Sequence, residues 1–198
     1  MALSGVAPET PEKHDEVVTR AVFLDRDGVL NANVMRDGKP VAPTMISDFQ
    51  LLPGVGEAVR ALKAAGFLAI VVTNQPDVRT GRTPKATLDA MHAALRSQVP
   101  VDDIKMCLHV EADGCECRKP KPGMLMEATH EHGIDLAASY LVGDRWRDIG
   151  AGKAAGCLTI FVDQGYEQET KIQPDYIVDS LPAAVAYILE RERNRGRP

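Results

Sequence analysis

The chain has 198 residues and a formal net charge of -5, with a sequence pI near 5.5, which argues against a broadly basic surface that gathers nucleic-acid phosphates. Apolar residues make up 44%, enough for one substantial core, and the length favours a single domain. No stretch approaches the roughly 18 to 20 consecutive apolar residues of a membrane span, and MALSGVAPETPEKHDE has neither a basic start nor an apolar signal core, so a cytoplasmic protein with no membrane or nucleic-acid partner is expected.

Residues 1–18 are polar and aperiodic and carry Pro8 and Pro11, so they read as a flexible arm ahead of a domain over 19–190. After Arg20, AVFLD is a short apolar run ending in acid, the pattern of a buried parallel strand whose end meets a functional loop. Val55, Val59 and Leu62 recur at helical spacing before Gly66, and FLAIVVTN is a second buried strand. Thr83 and Pro84 read as the N-cap and first residue of a helix through Val99, striped by Leu88, Met91 and Leu95. IKMCLHV predicts a strand over 104–110. PGMLMEATHEHG, SYLVGD, RDIGAGKAAG and CLTIFVD continue the alternation of helix and strand, followed by YIVDS and the helix LPAAVAYILERE. Residues 191–198 read as a solvated basic tail. Such alternation implies an α/β fold with a parallel sheet covered by helices on both faces. Ligands in such folds sit beyond the carboxyl ends of the strands.

Four strand-end segments carry chemistry. In Asp25-Arg26-Asp27-Gly28, two carboxylates two residues apart can converge on a hard cation, while one attacks phosphorus and the other handles a proton. Thr73-Asn74-Gln75 offers a hydroxyl and backbone N–H groups for phosphoryl oxygens. Arg118-Lys119-Pro120-Lys121 brings cations that neutralise charge between a nucleophile and a phosphate. Gly143-Asp144 allows a tight turn and adds a metal ligand, and Asp148 lies one helical turn on, as a further ligand or a helix cap.

The cysteines point to a second metal. Cys107, His109, Cys115 and Cys117 supply three thiols and an imidazole around a polar loop, the donor set of a closed tetrahedral structural zinc site. Cys157 reads as a small buried apolar residue. His92, His130 and His132 read as ordinary surface or half-buried side chains.

Taken in order, acid pair, threonine, lysine and acid, these segments resemble the haloacid dehalogenase (HAD) superfamily of aspartyl-nucleophile phosphohydrolases, over about Arg20 to Val162. The resemblance implies a three-layer Rossmann-like HAD fold. In it Asp25 is the nucleophile, Asp27 the general acid and base, Thr73 and Lys119 the phosphoryl-holding residues, and Asp25, Asp27 and Asp144 the Mg2+ ligands. Asn74 is assigned to substrate binding. Little chain is left over for a large cap domain. The zinc-binding loop running into CRKPKPGM is similar to that of the heptose bisphosphate phosphatases and of the histidinol-phosphatases, and resemblance to the former makes Arg118 a substrate-phosphate ligand.

The chain departs from the heptose group after Gln75, where Pro76-Asp77-Val78-Arg79-Thr80-Gly81 replaces a Ser-Gly pair and Arg-Gly. Arg79 and Arg82 either hold the second phosphate of a sugar bisphosphate or are surface charges. The expected partner is a small phosphorylated metabolite acted on by a monomer. Histidinol phosphate is the rival substrate, and an idle zinc-stabilised binding module is the reading from another class.

Overall fold

The computed structural model describes residues 18–166 and 172–195; the expected arm lies outside them apart from Val18. In chain order the elements are β1 (Arg20–Leu24), β2 (Val34–Arg36), β3 (Lys39–Val41), α1 (Val55–Ala64), β4 (Phe67–Asn74), α2 (Pro76–Arg79), α3 (Lys85–Gln98) and β5 (Asp103–Cys107). They continue with α4 (Gly123–His132), β6 (Tyr140–Gly143), α5 (Trp146–Ala155), β7 (Leu158–Val162), β8 (Tyr176–Val178) and α6 (Leu181–Arg195).

Six strands form one parallel sheet in the order β5-β4-β1-β6-β7-β8. β1 pairs with β4 from Arg20↔Phe67 and with β6 from Val22↔Tyr140. A strand with neighbours on both edges and helices on both faces has no solvent side, which explains why Ala21 to Leu24 are apolar without alternation. Their side chains still alternate in direction. Val22 and Leu24 join Val59 and Leu62 of α1 and Ile188 of α6 on one face, while Ala21 and Phe23 join Leu125 and Ala128 of α4 and Ala151 of α5 on the other. In α1 the buried stripe is Val55, Ala58, Val59 and Leu62, the i, i+3, i+4, i+7 spacing of a helix lying on a sheet. Truncating Leu62 to Ala is expected to cost about 2–5 kcal/mol, measured by denaturant unfolding.

Several elements differ from their sequence-based expectation for identifiable reasons. β5 stops at Cys107 rather than Val110, because β4, its partner, ends at Asn74 opposite Cys107, and the Val110 N–H is already turned to Asp113 Oδ2 at 2.9 Å. Thr83 is not a cap: Pro84 occupies that position without a side-chain bond, Lys85 opens α3, and Thr83 is buried. Residues 191–195 are not a loose tail but the last turns of α6.

The hairpin β2–β3 was not anticipated, although Asp37-Gly38 at its tip, with φ of 51° and 73°, is the dipeptide that two-residue hairpin turns favour. Between Val29 and Thr73 the chain holds that hairpin, a 3-10 turn at Ile46–Asp48, α1 and β4, and no large cap domain.

Candidate active site

The three adjacent strands β4, β1 and β6 deliver Thr73, Asp25 and Asp144 side by side at their carboxyl ends. β1 is where the chain order reverses, with β4 and β5 on one side and β6 to β8 on the other, and such a point opens a crevice. Lys119 enters from the loop after β5. Its Nζ donates to Asp25 Oδ1 at 2.8 Å and Val72 O at 2.7 Å, and pairs with Asp148 Oδ1 at 2.5 Å. Burial opposes the charge on Lys119, but Asp148 and Asp25 outweigh it and hold the ammonium above the ordinary lysine range. Asn74 braces this lysine: its amide donates to Lys119 O and accepts from the Lys119 N–H, both at 3.1 Å. Its side-chain hydrogen bonds are therefore with the loop, while the residue also lines the cleft.

Carboxylate oxygens of Asp25, Asp144 and Asp148 lie within 4.8 Å of one another, all buried. Burial and the Asp148 charge, against the pull of Lys119, push Asp25 up to about 7. Asp144 is raised by burial and by Asp25 and Asp148. Three buried acids faced by Lys119 and, at 3.9 Å from Asp144, Arg145 form a site short of positive charge, with the all-oxygen donor set a hard divalent cation selects. Asp148 also accepts from the Arg145 N–H at 2.9 Å, so it caps α5 while lying in the acidic cluster. Gly28 leaves the room: at φ +87°, a Cβ there would lie 2.1 Å from Asp144 Oδ2.

The Asp27 carboxylate, expected among the Mg2+ ligands, is not one of that trio. Its Oδ1 accepts from Arg26 Nε at 3.1 Å, Arg26 Nη2 at 2.8 Å and Asn31 Nδ2 at 3.0 Å. Its Oδ2 accepts from Arg26 Nη2 at 3.0 Å and Gln75 Nε2 at 2.7 Å. Burial alone would raise its pKa, but Arg26, Asn31 and Gln75 bring it below the usual value. Arg26 is wholly buried, lies over the Phe49 ring and reaches His92 Nε2 at 3.2 Å. His92 is buried rather than superficial, and burial with the Arg26 charge lowers it to about 4, so it faces the guanidinium as a neutral acceptor.

Cys107, His109, Cys115 and Cys117 bring their ligand atoms within 4.8 Å of one another. The sulfur separations are 3.1 to 3.6 Å, and His109 Nδ1 is 3.3 Å from Cys117 Sγ and 3.7 Å from Cys107 Sγ. A tetrahedron with metal–sulfur bonds of about 2.3 Å has edges of about 3.8 Å, so the cluster needs only slight expansion to accept such an ion. Burial and the neighbouring thiols Cys107 and Cys115 push the Cys117 thiol up to about 12, the response of crowded thiols that a cation would reverse. Cys157 is buried, as expected.

These residues open on a cleft of about 280 Å³ whose lining includes Asp25, Asp27, Thr73, Asn74 and Asp148 with Arg36, Arg82, Arg118, Lys119, Arg145 and Arg147. Arg82 faces the cleft and stands 3.4 Å from Asp77. Arg118 donates to His109 O at 3.0 Å, joining the cysteine loop to the cleft. Arg79 is not in the lining; it is exposed and 3.7 Å from Asp113, which favours its surface-charge reading. Arg36, Arg145 and Arg147 were missed. Arg36 comes from the unanticipated hairpin, and Arg145, which donates to Pro40 O at 2.9 Å, ties that hairpin to the loop after β6.

Comparison with known proteins agrees with this geometry. Residues 116–184 match the HAD-hydrolase-like family model. The chain is 36% identical over 178 residues to D-glycero-beta-D-manno-heptose-1,7-bisphosphate 7-phosphatase of Pseudomonas aeruginosa, covering 85% of this chain and 97% of that one. It is 34% identical to the D-glycero-D-manno-heptose-1,7-bisphosphate 7-phosphatase of Thermosynechococcus vestitus, over 85% and 94% of the two chains. The crystal structure of D,D-heptose 1,7-bisphosphate phosphatase from B. bronchiseptica, complexed with magnesium and phosphate, superposes with a TM-score of 0.71 at 32% identity, over 88% of this chain and 99% of that one. With relatives this similar along nearly their whole length, the chain belongs to the HAD superfamily and is a phosphatase, a phosphoric monoester hydrolase.

Proposed function

We propose that the protein removes the C7 phosphate of D-glycero-D-manno-heptose 1,7-bisphosphate, on the route to nucleotide-activated heptose, with Asp25 as a covalent nucleophile. The observation that carries the chemistry is Lys119 Nζ bonded to Asp25 at 2.8 Å beside the acids Asp144 and Asp148. The substrate rests on the relatives named above and on a cleft rich in arginine, which suits a compact dianion carrying a second phosphate. Magnesium fits the oxygen cluster: Asp25 and Asp144, with Asp148 beside them, would hold it, and it would supply charge neutralisation and orientation of the phosphoryl group. Zinc fits the Cys107, His109, Cys115 and Cys117 cluster as a structural ion that braces the loop leading to Arg118 and Lys119.

In the first step an Asp25 carboxylate oxygen bonds to phosphorus as the bond from phosphorus to the C7 oxygen breaks, and Asp27 passes a proton to the departing alkoxide. In the second, water attacks phosphorus, Asp27 takes its proton, and phosphate leaves Asp25 restored. Lys119 offsets the charge of nucleophile and phosphoryl group, and Thr73 donates to a phosphoryl oxygen. The Arg26 pairing favours ionised Asp27, the form that the second step uses.

The test is phosphate release from the heptose bisphosphate, histidinol phosphate and fructose bisphosphate side by side. The highest kcat/KM is expected for the heptose bisphosphate, and preference for histidinol phosphate overturns the substrate. Lys119→Met leaves Asp25 and Asp148 without their cation, so kcat is expected to fall by about 10^2 to 10^3-fold, checked by steady-state kinetics. Gly28→Ala pushes a methyl into Asp144, so the Mg2+ concentration for half activation should rise about 10- to 100-fold, read by Mg2+ titration.

A further inference from the structure

Gln75 lies just past β4, and its backbone N–H is held by Cys107 O at 2.7 Å. It is 3% exposed. Its Nε2 lies 2.7 Å from Asp27 Oδ2 and 2.8 Å from Thr73 Oγ1. An ionised carboxylate only accepts, so the end of the amide facing Asp27 is the NH2 group, and its two hydrogens serve the two oxygens separately. A threonine hydroxyl that accepts one bond keeps its own hydrogen to give elsewhere. With Gln75 as donor, the Thr73 O–H is free to turn to the cleft, which Thr73 lines.

The rest of the Asp27 environment cannot adapt. Arg26 grips both oxygens from a wholly buried position, and Asn31, also wholly buried, holds Oδ1. Among these donor side chains Gln75 alone also reaches a group expected to touch phosphate; Arg26 reaches Asp25 only through its backbone N–H, at 2.8 Å.

We propose that Gln75 is a positioning residue that ties the acid–base carboxylate Asp27 to the phosphoryl-holding hydroxyl Thr73, so that proton delivery to the leaving group is aligned with the phosphate as it is held. This rests on the acid–base reading of Asp27. An amide placed this way does not touch the reacting atoms. Its loss acts where a leaving group needs a proton: a sugar alkoxide does, whereas a nitrophenolate departs without one.

The experiment follows the first step alone, as the single-turnover release of heptose monophosphate or of nitrophenolate, because the second step uses Asp27 as base whatever the leaving group. It compares the wild type, Gln75→Met, Asp27→Asn and the double variant. Gln75→Met is expected to slow this release from the sugar phosphate about 10- to 100-fold, with the nitrophenolate burst rate changed by less than about threefold. The double variant is expected to lose no more than Asp27→Asn alone. An equal loss in both bursts, or no loss, overturns the role of Gln75 while a selective loss in Asp27→Asn keeps the acid–base reading. If Asp27→Asn itself slows both bursts equally, that reading falls and the proposal with it. Should thermal unfolding show that Gln75→Met is misfolded, Gln75→Asn, whose amide is withdrawn by one methylene, is expected to give the same selective loss, and a uniform loss there overturns the proposal.

Discussion

Asp25→Asn is expected to lower phosphate release by at least about 10^4-fold, because it removes the nucleophile while every binding contact around it stays in place. The same substitution is expected to leave the fold intact or slightly more stable without Mg2+. Asp25 shares a buried space with Asp144 and Asp148, and burial together with the Asp148 charge drives it from its ordinary 3.8 up to about 7. A carboxyl whose native pKa is raised binds more protons folded than unfolded between those values. Asp25 should therefore contribute a loss of stability as pH climbs from about 4 to about 7 in the Mg2+-free protein, and this contribution should be absent from Asp25→Asn. Urea unfolding of wild type and Asp25→Asn at several pH values in Mg2+-free buffer without chelator measures it. The pairing of near-total inactivity with retained stability also separates an enzyme from an idle binding module, which should work unchanged without Asp25.

Stripping the proposed zinc, or replacing Cys117 by Ser, is expected to have the second largest effect: at least about 5 °C off Tm and at least about 10^2-fold off kcat. The route from metal to chemistry is short in sequence and in space. Cys117 is followed by Arg118, which donates to the backbone of His109, and by Lys119, whose Nζ sits on Asp25. Asn74, the Arg118 and Lys121 bonds and the Lys119 ammonium's own contacts also hold this loop, and with the cysteine and histidine ligands released the backbone that aims the ammonium loses its brace. Metal analysis, thermal unfolding and kinetics on one preparation check the link. A zinc-free protein with full activity and unchanged Tm would remove the loop from the account.

Much of the sheet was legible because its strands are buried on both faces and therefore continuous in apolar residues, as in AVFL and FLAIVV. The chemistry sits where those runs end, so Asp25, Thr73 and Asp144 could be picked out from local pattern alone. Lys119 was legible because the cysteine loop runs straight into it. What was not legible depends on contacts between distant segments. Nothing local distinguishes Arg26 from a surface arginine in a polar turn, yet β1 carries it under α3, where His92 and Phe49 enclose it. The surroundings of Asp27 were hidden for the same reason, since Arg26, Asn31 and Gln75 all donate to its carboxylate. Arg36 was missed with its hairpin, although Asp37-Gly38 signalled the turn: the strands on either side are three residues each, too short to announce themselves by alternation. Arg79 and Arg82 look equivalent in sequence, and the short helix α2 sends them to different places, one to Asp113 and one to the cleft.

The most direct test follows the phosphoryl group itself. Rapid acid quench of enzyme turning over the heptose bisphosphate, with peptide mass spectrometry, should find one added phosphoryl group on the peptide AVFLDR, located at Asp25 and absent from Asp25→Asn. Turnover with no phosphorylated peptide at any quench time, or with the label on another residue, would contradict the account.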